Sequence, residues 1–131
     1  MTSSVSTSAA FDSVPIVSVA LRLAEFYRHE SCGKCVPCRE GTNWTVKMLE
    51  RVQSGEATPM DLDIMASVQE QIIGNCLCVL GDAMAMPIGS MIAKFRDEFE
   101  AHIEAARARN PYAGDAPPDT DPVLIQGAAG A

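Results

Sequence analysis

The stretch HESCGKCVPCREGT, residues 29–42, is the most informative part of this chain, because it places three cysteines in one C-x2-C-x2-C run. These are Cys32, Cys35 and Cys38, and a separate C-x-C pair, Cys76 and Cys78, follows about forty residues later. Two-residue spacers on a tight loop let successive thiolates converge on adjacent corners of an iron-sulfur cubane, while the remaining ligand comes from elsewhere in the chain. The run therefore predicts a cluster-binding loop that a distant cysteine completes.

Two other interpretations of the cysteines stay open at this point. Four thiolates also suit a tetrahedral zinc ion, which would make the chain a zinc-stapled helical interaction module without redox activity. Zinc ribbons usually use two separate C-x2-C knuckles rather than three cysteines in one run, so the spacing favours iron and sulfide. The third interpretation is a set of free or oxidised thiols that bind no metal.

The residues next to the run are candidates to stabilise a negatively charged centre. Four thiolates around an oxidised 4Fe-4S core sum to a dianion, which a buried site must offset. Lys34 and Arg39 flank the run, and Gly33 permits a close approach of the backbone. Cys38 lies at the expected start of a helix, whose free N–H groups stabilise thiolate and sulfide. Together with Ser31, these neighbours form the predicted surroundings of the site.

Composition limits the size of the domain and the kind of partner. A chain of 131 residues, 47% of them hydrophobic, supports one domain with a modest core. The net charge of −7, from 10 basic and 17 acidic residues, argues against nucleic acid, whose binding needs clustered Lys and Arg. No Ser/His/Asp arrangement or metalloprotease signature accompanies the charges, so no catalytic residue is predicted.

The sequence predicts neither a membrane span nor a signal peptide. Its most apolar run, residues 14–21, is much shorter than the roughly 20 residues that cross a bilayer. Residues 1–13 contain no Lys or Arg and no leader-like apolar run. Clustered cysteines in odd number are more often metal ligands in a reducing compartment than disulfides. We therefore expect a cytoplasmic protein, including one at the cytoplasmic face of a membrane complex.

Apolar residues recur at three- and four-residue steps in four segments, which predicts four amphipathic helices. Thr58 and Pro59 give the third helix a cap and a first-turn proline, and Gly74 closes it. Pro87 is interpreted as the start of the fourth and longest helix. The predicted helices cover about residues 16–29, 40–53, 58–73 and 87–109.

These helices predict the fold class and the domain organisation. None can bury its apolar stripe alone, and no strand pattern is present, so we expect an all-α fold, a small four-helix bundle. Its cluster is held by two loops. The predicted domain covers residues 14–109, whereas residues 1–13 and 110–131 lack periodicity and are predicted to be disordered.

Two blocks of the chain resemble a known family. The stretch at residues 29–42, together with CVLGDA at residues 78–83, is similar to the C-terminal iron-sulfur-binding domain of the NADH-binding flavin subunit of respiratory complex I. NAD-reducing hydrogenases and NAD-dependent formate dehydrogenases share that domain. The resemblance covers about residues 21–103 and implies a four-helix bundle with one 4Fe-4S cluster. That cluster takes electrons from FMN, after hydride transfer from NADH, and hands them to the next iron-sulfur centre.

The resemblance also implies a set of ligands. The three clustered cysteines of the family fall on Cys32, Cys35 and Cys38. The distant ligand precedes a short apolar segment and Gly-Asp, which selects Cys78. Cys76 falls where the family usually has a hydroxyl or another side chain that is not a ligand.

The resemblance finally implies partners, because the sequence contains no glycine-rich FMN or NADH site. We therefore expect FMN and NAD(H) only on a partner, and we do not expect the chain to be catalytic alone. The expected partners are a flavin- and NADH-binding protein or domain, a thioredoxin-like 2Fe-2S subunit and an iron-sulfur-rich subunit of a larger complex.

Overall fold

Helical periodicity in the sequence translates into an all-helical structure. The structure, a computed structural model, describes residues 14–110, and within them it contains no strand. None of the helices in this part of the chain combines the length and the apolarity that a membrane span requires. The five helices are α1 (Ile16–Glu30), α2 (Val36–Ser54), α3 (Pro59–Ile72), α4 (Leu80–Lys94) and α5 (Arg96–Arg109). The predicted all-α bundle is confirmed, and the segments predicted to be disordered lie outside the described residues, apart from Asn110.

The core forms around α2, which packs against each of the other four helices. Large side chains from α2, α3, α4 and α5 are fully buried together, because each helix carries one apolar face that it cannot cover alone. Burial of such a side chain stabilises the fold by about 1.5–3 kcal/mol. The largest fully buried side chains include Leu49, Leu62, Met65, Met84, Ile88 and Phe99.

The predicted start of α3 is confirmed by its hydrogen bonds. The Asp61 carboxylate accepts a hydrogen bond from the Thr58 backbone N–H at 2.6 Å and another from the Thr58 hydroxyl at 3.0 Å. Pro59 occupies the first turn, where its missing N–H costs nothing. At the other end of α3, the backbone N–H of Gly74 donates to Asp82 Oδ1 at 3.0 Å. This bond ties the loop between α3 and α4 to the first turn of α4.

The last predicted helix differs from the observed one in two respects. α4 begins at Leu80 rather than at Pro87, and Pro87 lies inside it. Proline removes one backbone hydrogen bond there, but Met84 and Ala85 are fully buried in the preceding turns, and this packing keeps the segment helical. The helix then ends at Phe95, whose φ of −120° and ψ of 30° separate α4 from α5. The expected single helix is therefore two helices.

A close approach between α2 and α3 positions the site. Gly41 of α2 is buried, and a Cβ added to it would lie 2.5 Å from Cδ1 of Ile72 at the end of α3. Any larger side chain at position 41 would push the two helices apart. The start of α2 and the end of α3 are thus held together, and these are the two ends that carry the cysteines.

Candidate metal centre

Two cysteine-bearing loops meet at one end of the bundle. The loop of residues 31–35 joins α1 to α2, and the loop of residues 73–79 joins α3 to α4. The backbone N–H of Leu77 donates to the Sγ atom of Cys35 at 3.3 Å. Since Leu77 lies between Cys76 and Cys78, this bond places the distant cysteine pair beside the run.

The loop before α2 is shaped by short-range hydrogen bonds. Gly33 has a φ of +76°, and its N–H donates to the Ser31 hydroxyl oxygen at 3.3 Å. The Arg39 guanidinium donates to the Gly33 carbonyl at 2.9 Å and pairs with Glu40 at 2.9 Å. Arg39 therefore holds the loop from the first turn of α2. Lys34, in contrast, is exposed on the loop.

The cysteines differ in their exposure to solvent. Cys38 lies in the first turn of α2 and is only 6% exposed. Its Sγ atom is 3.2 Å from the Ser31 hydroxyl oxygen. Cys35 and Cys76 are half-buried, whereas Cys32 and Cys78 are exposed. The sulfur atoms thus extend from the core of the bundle to its surface.

Cys76 has a distinct environment. Its Sγ atom is 3.7 Å from the carbonyl oxygen of Ile72 and lies beside Gly81, where an added Cβ would be only 2.7 Å from it. Burial raises the pKa of the Cys76 thiol, and the neighbouring charges of Cys38, Cys35, Asp82 and Cys78 raise it further. Cys76 is therefore a protonated thiol at neutral pH, packed into space that Gly81 leaves free.

The arrangement of these side chains suits a cluster better than a single ion. Within residues 14–110, no group of three or more His, Cys, Asp or Glu side chains converges closely enough to hold one metal ion. Thiolates bound to one zinc at about 2.3 Å would lie within roughly 4 Å of each other. A cubane binds each thiolate at a different iron and therefore needs a wider ring of sulfur atoms. The thiols on two loops, with N–H and O–H donors aimed at their sulfur atoms, fit that need.

The structure also shows contacts that the sequence did not indicate. The predicted neighbours Ser31, Gly33 and Arg39 do contact the loop. The N–H of Leu77 and the carboxylate of Asp82, which fix the second loop, were not predicted. Their position beside a cysteine and after a glycine was the only available signal, and it names no partner.

Comparison with known proteins identifies similar sequences. The family model of the NADH-ubiquinone oxidoreductase-F iron-sulfur binding region matches residues 18–102. An NADH-quinone oxidoreductase subunit of Rhizobium meliloti, the second of its F type, is 49% identical over 96 residues, which cover 73% of this chain and 23% of that protein. The mitochondrial NADH-ubiquinone oxidoreductase 51 kDa subunit of Aspergillus niger is 42% identical over 106 residues, which cover 78% of this chain and 21% of that protein.

Solved structures give the same picture. The NAD+-reducing [NiFe]-hydrogenase in its H2-reduced state superposes with a TM-score of 0.64 at 31% sequence identity. The match covers 80% of this chain and 20% of the hydrogenase chain. The chain thus spans about a fifth of the length of the curated relatives it matches.

Proposed function

Because the chain belongs to the family of the NADH-ubiquinone oxidoreductase-F iron-sulfur binding region, we propose that it is an electron-transfer module with one 4Fe-4S cluster. The resemblance inferred from the cysteine blocks is thereby confirmed at the level of the family. We propose Cys32, Cys35, Cys38 and Cys78 as the ligands. When bound, such a cluster stores and releases one electron at a time.

One observation carries this proposal, the hydrogen bond from the Leu77 N–H to the Cys35 sulfur. It joins two loops whose cysteines are about forty residues apart in the sequence. A ligand set drawn from a run and a distant cysteine requires this convergence. An N–H aimed at a sulfur also stabilises the charge of a thiolate.

The choice of Cys78 as the fourth ligand has independent support. Cys78 is exposed on the loop and begins the CVLGDA block. The sulfur of Cys76, in contrast, is packed between Ile72 and Gly81. Cys76 would have to leave this position to reach a shared cluster, whereas Cys78 needs no such rearrangement.

The groups around the proposed ligands can balance the charge of the cluster. The Ser31 hydroxyl accepts from Gly33 and is free to donate to Cys38. Cys38 itself lies in the first turn of α2, where the helix dipole favours negative charge. Arg39 and the exposed Lys34 add positive charge at the same loop, so we propose that these residues set the reduction potential.

We propose partners that match those of the relatives. In this proposal the chain receives electrons that originate in NADH, through FMN on a flavin-binding partner or domain, and passes them to an iron-sulfur centre of a neighbouring subunit. Leu77 and Val79, which flank Cys78, are 82% and 76% exposed. Such exposed apolar side chains favour contact with another protein, and free thiols on the loops favour a reducing, cytoplasmic location.

Metal analysis tests the proposed cofactor. After anaerobic purification we expect about four irons and four sulfides per chain, no stoichiometric zinc, and a low-temperature EPR signal after reduction. Zinc without sulfide or EPR signal would instead support the zinc-stapled module. A colourless protein that stays free of iron after reconstitution, with its helical circular dichroism unchanged, would contradict both.

Ser31→Ala is expected to lower the reduction potential of the cluster. The Ser31 hydroxyl donates to the Cys38 thiolate and so stabilises the more negative, reduced state. Loss of one such bond shifts a one-electron potential by about 20–60 mV. Protein-film voltammetry measures the shift, and Ser90→Ala, an exposed site on α4, serves as the matched control. An unchanged potential in Ser31→Ala would mean that this hydroxyl does not tune the cluster.

A further inference from the structure

The fifth cysteine, Cys76, lies beside the proposed cluster site but outside its set of four ligands. It shares the second loop with Cys78 and is half-buried. A thiol that is next to ligands and is not itself one becomes important when the cluster is absent, because the ligand sulfurs are then free to react.

Covalent geometry shows how close Cys76 lies to Cys35. The Cys35 Sγ atom is 3.3 Å from the backbone nitrogen of Leu77. Standard bond lengths and angles place this nitrogen about 2.4 Å from the Cα atom of Cys76. The Cys35 sulfur therefore lies within about 6 Å of the Cys76 Cα atom, while a disulfide would bring the two to about 4 Å. A rotation of the Cys76 side chain and a small loop shift close that gap.

The other thiols are less well placed to react with Cys35. The sulfur of Cys38 faces the Ser31 hydroxyl at 3.2 Å, while the sulfur of Cys35 faces the second loop. The Cα atom of Cys78 lies beyond that of Leu77, and each trans peptide adds about 3.8 Å. Cys76 is thus the cysteine of the second loop whose backbone is nearest to the Cys35 sulfur.

We propose that Cys35 and Cys76 form a disulfide when the protein is free of its cluster and a small-molecule disulfide such as oxidised glutathione is present. The inference rests on the proposed function, since iron bound to Cys35 would prevent the reaction. The Cys35 thiolate attacks one sulfur of oxidised glutathione, which breaks its S–S bond and releases one glutathione thiolate. The Cys76 thiolate then attacks the Cys35 sulfur, forms the protein disulfide and releases the second glutathione thiolate. Two electrons pass from the protein to the oxidant, and the two cysteine protons end on two glutathione molecules.

The disulfide has two consequences for the cluster site. It occupies one of the four ligands, so the protein cannot accept a cluster until a thiol reductant reopens the bond. It also protects Cys35 from irreversible oxidation to sulfinic or sulfonic acid. Cys76 thereby makes the loss of the cluster reversible.

Thiol counting and peptide mapping of the full-length protein test this inference. The cluster is removed by a chelator under reducing conditions, and the protein is then incubated anaerobically with oxidised glutathione and quenched with N-ethylmaleimide. We expect wild type to lose two of its five thiols, with tandem mass spectrometry showing Cys35 joined to Cys76. Cys78→Ser is the matched control and should form the same link. Cys76→Ser should not form it, and after the same treatment it should still take up iron and sulfide, which oxidised wild type does only after reduction.

Three outcomes would overturn the inference. They are the retention of all five thiols, a link from Cys35 to Cys32, Cys38 or Cys78, and an undiminished iron uptake by the oxidised wild type. These outcomes are separate from the proposed function, which depends on the iron, sulfide and EPR signal of protein that was never oxidised. A protein that binds a cluster and forms no Cys35–Cys76 link would refute the inference alone.

Discussion

Replacing Cys78 with serine is expected to remove the 4Fe-4S cluster, whereas replacing Cys76 with serine is expected to leave it intact. A serine oxygen is a poorer ligand for the soft irons of a cluster than a thiolate. Cys78 is exposed on its loop, while the Cys76 sulfur packs against Gly81 and Ile72. Loss of the fourth thiolate leaves one iron corner without its ligand, but loss of Cys76 removes only a packing contact.

Iron, sulfide and EPR measurements on both variants check this expectation. Cys78→Ser should lose at least one of about four irons together with the EPR signal of the reduced 4Fe-4S cluster. Cys76→Ser should match wild type in all three measurements, and helical circular dichroism shows whether each variant is folded. The opposite pattern, with the cluster lost only in Cys76→Ser, would make Cys76 the ligand.

The sequence predicted the first three helices because their signals are local. Spaced apolar residues define the faces of α1 and α2, and the Thr58-Pro59-Asp61 cap marks the start of α3. Pro87 misled the prediction, since a proline in the first turn and one inside a helix look alike in the sequence. The burial of Met84 and Ala85 against other helices decides between them, and that burial is a property of the tertiary structure.

The break at Phe95 could not be predicted for a similar reason. No glycine or proline lies there, and the apolar pattern continues from Ile92 to Phe99. In the structure the carbonyl of Phe95 accepts hydrogen bonds from both Glu98 and Phe99, which starts α5 in a new direction. The turn allows Phe99 and Ile103 to be buried in the core.

The candidate site was predictable as far as its residue types and spacing allow. The cysteine run gave the chemistry, because few centres other than a cluster use three thiolates in so short a stretch. The contacts between the loops could not be predicted, since the donor to Cys35 is a backbone N–H that any residue at position 77 except proline would supply. The packing of Cys76 against Gly81 likewise depends on how α3 leads into α4.

The contact between the end of α2 and α5 predicts the largest effect of a single substitution on stability. Gly55 ends α2 with a φ of +83°, a conformation that costs other residues about 1–2 kcal/mol. An added Cβ would also overlap with the backbone of Ala106 and Arg107 in α5. A backbone clash cannot be relieved by side-chain rotation and adds about 1–3 kcal/mol. The Arg107 guanidinium, which donates to the Ala57 carbonyl at 2.8 Å, fixes the two segments against each other.

Gly55→Ala is therefore expected to destabilise the fold by about 2–5 kcal/mol, against about 1–2 kcal/mol for the matched control Gly74→Ala. Gly74 has a similar φ of +76°, but nothing lies within 4 Å of its added Cβ, so only the backbone strain remains. Thermal unfolding followed by circular dichroism, on samples matched for iron content, separates the two contributions. For a domain of this size each kcal/mol lowers Tm by about 4–8 °C. Equal melting temperatures for the two variants would show that α5 does not pack against Gly55, since conformational strain alone is common to both.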